Sequence, residues 1–344
     1  MADRRGFLRT VAGGTAAAAL ACGDRRPWTD AAVRKPPRSP VAVLPAPDYD
    51  ETRLVEVVRR GIGLFDLAVS GRRVVLKPNL VEFDPRGVIN THPNLIAAAV
   101  EAFRLEGAAD VVIAEGPGHR RDNEYLIEAS GLGERLRDTG ATFVDLNHDR
   151  VRRIELATRF TDLGHLYLPV TVLDADLFVS MPKLKTHHWA GVTLSMKNMF
   201  GIIPGALYGW PKNVLHWAGI EQSILDINAA LTVPRFNIVD GVLGMEGNGP
   251  IQGEARDVGV LVFGEDPVAV DAAGAGLMGF DPLRIGYLSQ ADAFLGNAGQ
   301  DLMDERGEPL SRFRTDFRVL PQFEEMKIDP SPAEAPGSVA GSSA

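Results

Sequence analysis

Residues 174–216 read DADLFVSMPKLKTHHWAGVTLSMKNMFGIIPGALYGWPKNVLH. The apolar stretch 177–180 is typical of a buried strand, and basic residues follow directly after it. No Asp or Glu occurs from Leu177 to Ile220, although the overall composition would place about six carboxylates in a window of this length. Lysines and histidines collected without acidic partners repel one another unless an anion compensates them. The segment therefore predicts an anion-binding site.

Strand-like and helix-like patterns alternate on both sides of this segment. Apolar strands are predicted at 73–77, 110–115, 142–146, 236–240 and 258–263. A helix is predicted from Thr91 as its N-cap to Gly107, and another over 213–231, whereas 241–250 has the glycine content of a long loop. This alternation favours an α/β fold with a mixed, mainly parallel sheet and flanking helices over residues 48–320. An arrangement of two lobes around a cleft is compatible with the same pattern.

Composition excludes several classes of partner. The net charge of -9 and the pI near 5.4 argue against a nucleic acid or an anionic membrane surface as the main partner. Cys22 is the single cysteine, so we expect neither a disulfide within the chain nor an iron–sulfur cluster held by its cysteines.

The N-terminus has the pattern of a targeting signal. Arg4-Arg5 and the Ala-rich run after them resemble a twin-arginine signal peptide over residues 1–22, which implies the twin-arginine export machinery as a partner. Residues 23–47 are rich in proline and are predicted to be a linker with a first strand at 41–44, and 321–344 to be a disordered tail. The predicted location is periplasmic or membrane-anchored. A lipid anchor at Cys22 and simple cleavage nearby both stay open.

Six short motifs, in this order, resemble a known family. They are Lys77-Pro78-Asn79, Thr91-His92-Pro93, Pro182-Lys183-Leu184-Lys185-Thr186-His187, Lys197-Asn198, Asp240-Gly241 with Glu246-Gly247-Asn248-Gly249-Pro250, and Asp266-Pro267-Val268-Ala269-Val270-Asp271. Together they are similar to the domain of unknown function family numbered 362, over residues 74–296. The ferredoxin-type cysteine motifs that some members carry do not occur here. The resemblance implies no settled chemistry.

A more distant resemblance suggests a mechanism. His187, Ala190-Gly191, Lys197, Pro204-Gly205 and His216 are similar in order to the core of the nickel-pincer lactate racemase superfamily. That resemblance implies an acid/base histidine at His187 and a second at His119, a lysine at Lys197 that secures a pyridinium-derived nickel-pincer nucleotide, and a nickel ligand at His216. Ser195-Met196 stands where the superfamily has a glycine pair.

The candidate site residues fall into three groups. Catalytic roles are predicted for His119, His187 and Lys197, because a neutral imidazole exchanges protons and a lysine in an apolar segment must face a cleft or a partner. Substrate binding is predicted for basic and amide side chains at strand ends and turns, where ligands of α/β sheets bind: Lys77, Asn79, Arg120, Lys183, Lys185 and Asn198. A divalent metal is predicted to be held by Asp240 and Glu246 with His216 or His187, and ordinary pairing of the two carboxylates with lysines is the alternative.

These residues support two classes of function. In the first, the protein is an enzyme acting on an anionic small molecule, by racemisation or epimerisation at a hydroxy-acid carbon or by metal-assisted chemistry. In the second, the same basic residues only bind the ligand, in a non-catalytic periplasmic or surface-anchored protein. A structural or assembly role is a third interpretation.

Overall fold

The computed structural model describes residues 26–118 and 123–329, and within them ten strands form one sheet. The described residues contain twelve strands in all, which are, in chain order, β1 (Ser39–Pro45), β2 (Arg73–Pro78), β3 (Asp110–Glu115), β4 (Thr142–Asp145), β5 (Val151–Glu155), β6 (His165–Pro169), β7 (Leu177–Met181), β8 (Lys183–His187), β9 (Gly191–Thr193), β10 (Arg235–Asn248), β11 (Gln252–Gly264) and β12 (Met303–Gly307). β5 and β6 form a separate antiparallel pair.

The sheet order is β12-β1-β11-β10-β7-β2-β3-β4, with β8 beside β10 and β9 beside β8. The run from β10 to β4 is parallel, whereas β11 is antiparallel to both β10 and β1. The prediction of a mixed, mainly parallel sheet is therefore confirmed. Because parallel strands end at the same edge of a sheet, the segments after β2 and β3 lie beside each other.

Helices cover both faces of the sheet. The helices are α1 (Glu51–Ile62), α2 (Pro93–Leu105), α3 (Asn123–Ala129), α4 (Leu132–Thr139), α5 (Val170–Leu173), α6 (Ser195–Asn198), α7 (Gly205–Tyr208), α8 (Asn213–Trp217), α9 (Ile220–Ala230), α10 (Pro267–Leu277) and α11 (Gly286–Asp292). Side chains of β1 show the two faces: Ala42 and Leu44 join the core under α1 and α2, and Val41 and Val43 join the core under α9 to α11. One sheet, rather than two lobes, carries these elements.

The predicted domain limits were too narrow at both ends. β1 lies inside the sheet, between β11 and β12, so part of the predicted linker belongs to the folded domain. The fold also continues past residue 320, because a 3-10 helix spans Pro321–Met326 and buries Phe323. The twin-arginine motif and Cys22 lie outside the described residues.

Three predicted elements differ in detail. The segment predicted as a glycine-rich loop continues β10 to Asn248 and forms a hairpin with β11, since its glycines leave room for neighbouring groups; a Cβ at Gly244 would lie 2.7 Å from the Phe317 ring. The helix predicted to begin at a Thr91 cap is capped instead by His92. The helix predicted over 213–231 is broken at Gly219, which has a φ of 103°.

Candidate functional site

A cavity of about 270 Å³ opens where β2 and β3 end, with β8 along one side and α6 and α8 nearby. Seven of the predicted site residues line it: Lys77, Asn79, Lys185, His187, Lys197, Asn198 and His216. His188, Lys212 and Glu115 also contribute to the wall, and Glu115 is its single carboxylate among the described residues. The cavity therefore brings together four lysines and three histidines against one acid.

Lys77 is the lysine that this acid neutralises. Its Nζ donates hydrogen bonds to Glu115 Oε2 at 2.6 Å, Asn198 Oδ1 at 2.9 Å and the Pro78 carbonyl at 2.7 Å. All three donors of the ammonium are thus used, and both partner side chains are buried. Burial lowers the pKa of Lys77 and the Glu115 charge opposes that shift. Lys77 therefore lines the wall with its charge neutralised, and its predicted role in substrate binding stays a prediction.

Lys185 is buried without a carboxylate partner among the described residues. Its Nζ donates to the carbonyl oxygens of Ile89 at 2.8 Å and Pro250 at 3.4 Å. Burial lowers its pKa well below the ordinary value, and the charges of Lys197, Lys183 and Lys77 lower it further. An anion in the cavity would raise the pKa of Lys185 again, because it would supply the missing negative charge and accept a hydrogen bond from the remaining N–H.

Lys197 lies near the end of the single turn of α6. The turn is held by the buried Asp271, whose carboxylate accepts hydrogen bonds from Ser195 N at 2.6 Å and Met196 N at 3.0 Å. Asp271 thus serves the helix terminus rather than facing the cleft, and burial raises its pKa to about 8. The ammonium of Lys197 lies 3.8 Å from the centre of the Phe200 ring. Burial first, and then the Lys77 charge, lowers the pKa of Lys197 to about 7.

The adjacent residues His187 and His188 carry the proton of the neutral ring on different nitrogens. Nδ1 of His187 accepts hydrogen bonds from Trp189 N at 3.1 Å and Ala190 N at 3.2 Å, so the neutral ring carries its proton on Nε2. Nδ1 of His188 lies 2.8 Å from the Gly249 carbonyl, which can only accept, so His188 keeps a lone pair on Nε2. Burial lowers the pKa of His187 well below the ordinary value. His187 is therefore a hydrogen-bond donor to the cavity, whereas His188 has the nitrogen of a base.

Lys212 is a site residue that the sequence interpretation did not assign. Its backbone has a φ of 68° and a ψ of 45°, a left-handed conformation that is uncommon for lysine. Its Nζ donates to Asn147 Oδ1 and to the Ile203 carbonyl, and its own carbonyl accepts from Nδ1 of His216 at 3.1 Å. Burial lowers its pKa to about 7. The signal that could have identified it is its position in the window without acids.

Two polar atoms in the cavity wall have unused hydrogen-bonding capacity. Within the described part of the chain, Asn79 Oδ1 and Thr193 Oγ1 are buried and have no hydrogen-bond partner. Buried polar atoms are nearly always paired in native proteins, and each unpaired one costs about 1–3 kcal/mol. A ligand with a hydroxyl or amino group would satisfy Asn79 Oδ1.

Lys183 belongs to a different site. Its Nζ donates to Asp240 Oδ2 at 3.0 Å and to Tyr49 OH at 2.7 Å, and Tyr49 OH donates to Asp240 Oδ1 at 2.8 Å. The His92 ring stacks on Tyr49 with centroids 3.7 Å apart, and burial lowers the pKa of His92 to about 4. Lys183 lines a second, neighbouring cavity of about 330 Å³. Lys183 therefore does not line the central cavity with Lys185, although both were predicted to bind substrate.

The predicted metal site does not assemble. Asp240 pairs with Lys183, Glu246 pairs with Arg318 at 2.7 Å, and His216 lines the central cavity, so the three lie in different environments. Asp240 and Glu246 are separated by six positions along the extended strand β10, which is about 20 Å. Across residues 26–118 and 123–329, no group of three or more His, Cys, Asp and Glu side chains has the geometry to hold a metal ion.

Two predicted residues cannot be placed. His119 and Arg120 lie in the segment 119–122, outside the described residues. Gly118, directly before them, lines the central cavity.

Comparison with known proteins identifies the family. The model of the family described as "Domain of unknown function (DUF362)" matches residues 74–276. The chain belongs to this family. The thylakoid-associated protein sll1697 of Synechocystis sp. is 29% identical over 262 residues, covering 71% of this chain and 76% of that protein.

Two solved structures show similarity over part of the chain. One, from Thermotoga maritima, is 11% identical with a TM-score of 0.39 and covers 67% of this chain and 59% of its own. The lactate racemase apoprotein from Thermoanaerobacterium thermosaccharolyticum is 17% identical with a TM-score of 0.36, and the match covers 67% of this chain and 55% of the racemase. Among the helices that the structure describes, none is both long and apolar enough to cross a membrane.

Proposed function

We propose that this member of the DUF362 family binds a small anionic molecule in the central cavity. The observation that carries the proposal is the charge imbalance of the wall: Lys185, Lys197 and Lys212 are not neutralised by any ion pair within the described residues, and Glu115 is committed to Lys77. Holding uncompensated ammonium groups out of water is costly, and a bound carboxylate or phosphate offsets that cost. The apolar wall, which includes Phe200, favours an organic anion.

Binding tests this proposal directly. We would titrate the full chain with phosphate, pyruvate and L-lactate by isothermal calorimetry, and compare the wild type with Lys185→Met. Lys35→Met is the matched control, because Lys35 pairs with Asp292 and does not line the cavity. Saturable binding that Lys185→Met removes and Lys35→Met retains would support the proposal. Equal binding by both variants, or binding of none of the anions, would contradict it.

We propose acid–base catalysis on the bound anion as a second function. The observation that favours it is the pair of histidines, in which His187 presents Nε2–H and His188 presents an Nε2 lone pair to one cavity. This gives the base role to His188 instead of His187, with His119 as the predicted second acid/base residue. The non-catalytic binding protein is the alternative.

The fate of the hydrogen at the lactate carbon distinguishes an enzyme from a non-catalytic binding protein. We would incubate the protein with L-lactate in D₂O and follow deuterium at the carbon beside the carboxylate by NMR. If His188 removes that hydrogen as a proton, the hydrogen exchanges with D₂O, and His188→Gln should lose the exchange while retaining lactate binding. Hydride transfer to a bound cofactor would instead convert L-lactate into D-lactate without exchange. Binding with neither deuterium exchange nor formation of D-lactate would favour the non-catalytic alternative.

A cofactor and export are part of the same proposal. If the nickel-pincer nucleotide implied by the distant resemblance is present, Lys197 would hold it and His216 Nε2 would bind the metal, because Nδ1 of His216 donates to Lys212. Such a group would supply a hydride acceptor. Elemental analysis with intact mass spectrometry tests whether this cofactor is present.

Twin-arginine export, with a periplasmic or anchored product, is tested by fractionation of cells that express the variant Arg4→Lys/Arg5→Lys. This variant should remain in the cytoplasm.

A further inference from the structure

The amine of Lys197 differs from those of the other cavity lysines. Within the described residues its Nζ forms no hydrogen bond and no ion pair, and its contact is the face of the Phe200 ring. Lys77 uses its three donors, while Lys185 and Lys212 each donate two hydrogen bonds. The amine of Lys197 therefore has the greatest freedom to react with a bound molecule.

We propose that Lys197 is a nucleophile that forms a Schiff base with a small anionic carbonyl compound, of which a 2-oxo acid is the simplest. This inference rests on the proposed anion-binding function. Lys185 is suited to hold the carboxylate, because one of its N–H groups is not used in the bonds to Ile89 and Pro250. Lys197 lines the same cavity, so its amine is available to the carbonyl carbon of a molecule held in this way.

The reaction needs no further reagent. The lone pair of the neutral Nζ forms a bond to the carbonyl carbon, and the electron pair of the C=O bond moves to the oxygen. That oxygen takes up the first proton lost by nitrogen and, as it leaves, the second one, so that it departs as water and the C=N bond of the neutral imine forms. His187 presents its Nε2–H in the same cavity as a hydrogen-bond donor to the departing oxygen. Atoms balance as amine plus carbonyl giving imine plus water.

The environment of Lys197 favours the reactive form. A lysine in water is almost entirely protonated at neutral pH and is therefore a poor nucleophile. Burial and the Lys77 charge lower the pKa of Lys197 to about 7, so that a large fraction is the neutral amine. Lysines activated in this way, by desolvation and a neighbouring cation, are those that enzymes use to form Schiff bases.

Reductive trapping tests the inference. The full chain would be incubated with pyruvate and sodium cyanoborohydride, and the modified lysines located by peptide mass spectrometry; intact mass would first establish that Lys197 is unmodified. Acetone serves as the uncharged carbonyl control. We expect labelling of Lys197 at least about tenfold above that of any other lysine, with pyruvate more effective than acetone, and loss of this label in Lys185→Met. Lys197→Arg should remove the label, since a guanidinium does not form the imine.

Binding of pyruvate, measured without the reductant by ligand-observed NMR, separates the two proposals. If pyruvate binds and Lys197 is labelled no more than exposed lysines, the Schiff base is wrong and the anion site stands. If pyruvate neither binds nor labels Lys197, the inference fails together with its premise for this class of anion. A purified protein in which Lys197 already carries a covalent group would also overturn it.

Discussion

Lys183 and Lys185 lie two residues apart on β8, and both are almost fully buried, yet their surroundings are opposite. Lys183 is held by Asp240 and Tyr49 in a network that satisfies its charge. Lys185 reaches two carbonyl oxygens and faces a cavity shared with Lys197 and Lys212. A buried charge with a partner inside the protein is a structural element, whereas a buried charge without one indicates a partner from outside.

The largest expected effect on stability comes from a substitution that removes the counter-charge of Lys183. Asp240→Asn leaves Lys183 buried without a counter-charge, and we expect it to lower the free energy of unfolding by about 3–5 kcal/mol. Urea denaturation followed by circular dichroism measures the change. The control is Asp304→Asn, which breaks the exposed pair with Arg38 and should cost less than about 1 kcal/mol. Equal losses in the two variants would contradict the structural role of the Lys183 network.

Substitution of Lys185, which has no acid partner among the described residues, should have the opposite effect on stability. Lys185→Met replaces a buried amine that has no acid partner, so we expect an unfolding free energy equal to or higher than that of the wild type. We expect the same change to weaken anion binding about 10- to 100-fold, which is about 1.4–2.8 kcal/mol. Calorimetric titration and denaturation of the same samples measure both quantities. A variant that binds normally but is strongly destabilised would show that Lys185 belongs with Lys183.

The pH dependence of binding sharpens the comparison further. Lys197 and Lys212 have pKa values of about 7 in the free protein, and a bound anion raises them because it favours the charged form. Binding therefore takes up protons above pH 7, and the dissociation constant should rise with pH there, by up to tenfold per pH unit for each proton taken up. Below pH 7 the contribution of these two lysines should level off. Isothermal titration from pH 6 to 9 measures the slope, which Lys197→Met should reduce.

The same lysine links binding to stability. Since the folded-state pKa of Lys197 is below its unfolded value of 10.5, the unfolded chain binds more protons between about pH 7 and 10.5, and this contribution to stability rises with pH over that range. Lys197→Met removes the cost of partly burying the charge, so we expect it to stabilise the protein at pH 7 by about 1–3 kcal/mol. Chemical denaturation at pH 7 and pH 10 measures this difference. A loss of stability at pH 7 would contradict the assignment of an uncompensated charge.

Composition was the strongest guide to the site. Much of the segment without acids between residues 177 and 220 lines the cavity, together with Lys77 and Asn79 from a strand-end motif, and anion binding there stays a prediction. A parallel sheet brings strand ends together whatever the distance between them in sequence, so periodicity and topology rules were sufficient there.

What failed depended on partners that are distant in sequence. The separation of Lys183 from Lys185 requires Tyr49 and Asp240, which lie on other elements. The roles of His187 and His188 depend on which nitrogen meets a backbone group, and no sequence pattern specifies that. The glycines of 241–250 indicated a loop because glycine weakens strands on average. Here Gly244 packs closely against Phe317 and Gly241 against Val260, so these glycines are compatible with a strand.

The smallest expected effect concerns Glu246, which was predicted to bind a metal. Its carboxylate accepts from Arg318 N at 3.0 Å and pairs with the exposed Arg318 side chain, away from the central cavity. Glu246→Gln keeps an acceptor for Arg318, so we expect a loss of stability of at most about 1 kcal/mol and an anion affinity within twofold of the wild type. Denaturation and calorimetric titration, each with and without EDTA, measure these quantities. A tenfold loss of binding in the variant would show that Glu246 belongs to the anion site. A loss of affinity in EDTA by the wild type but not by the variant would show the same. In either case the paired charge of Glu246 could no longer be contrasted with the unpaired lysines of the cavity.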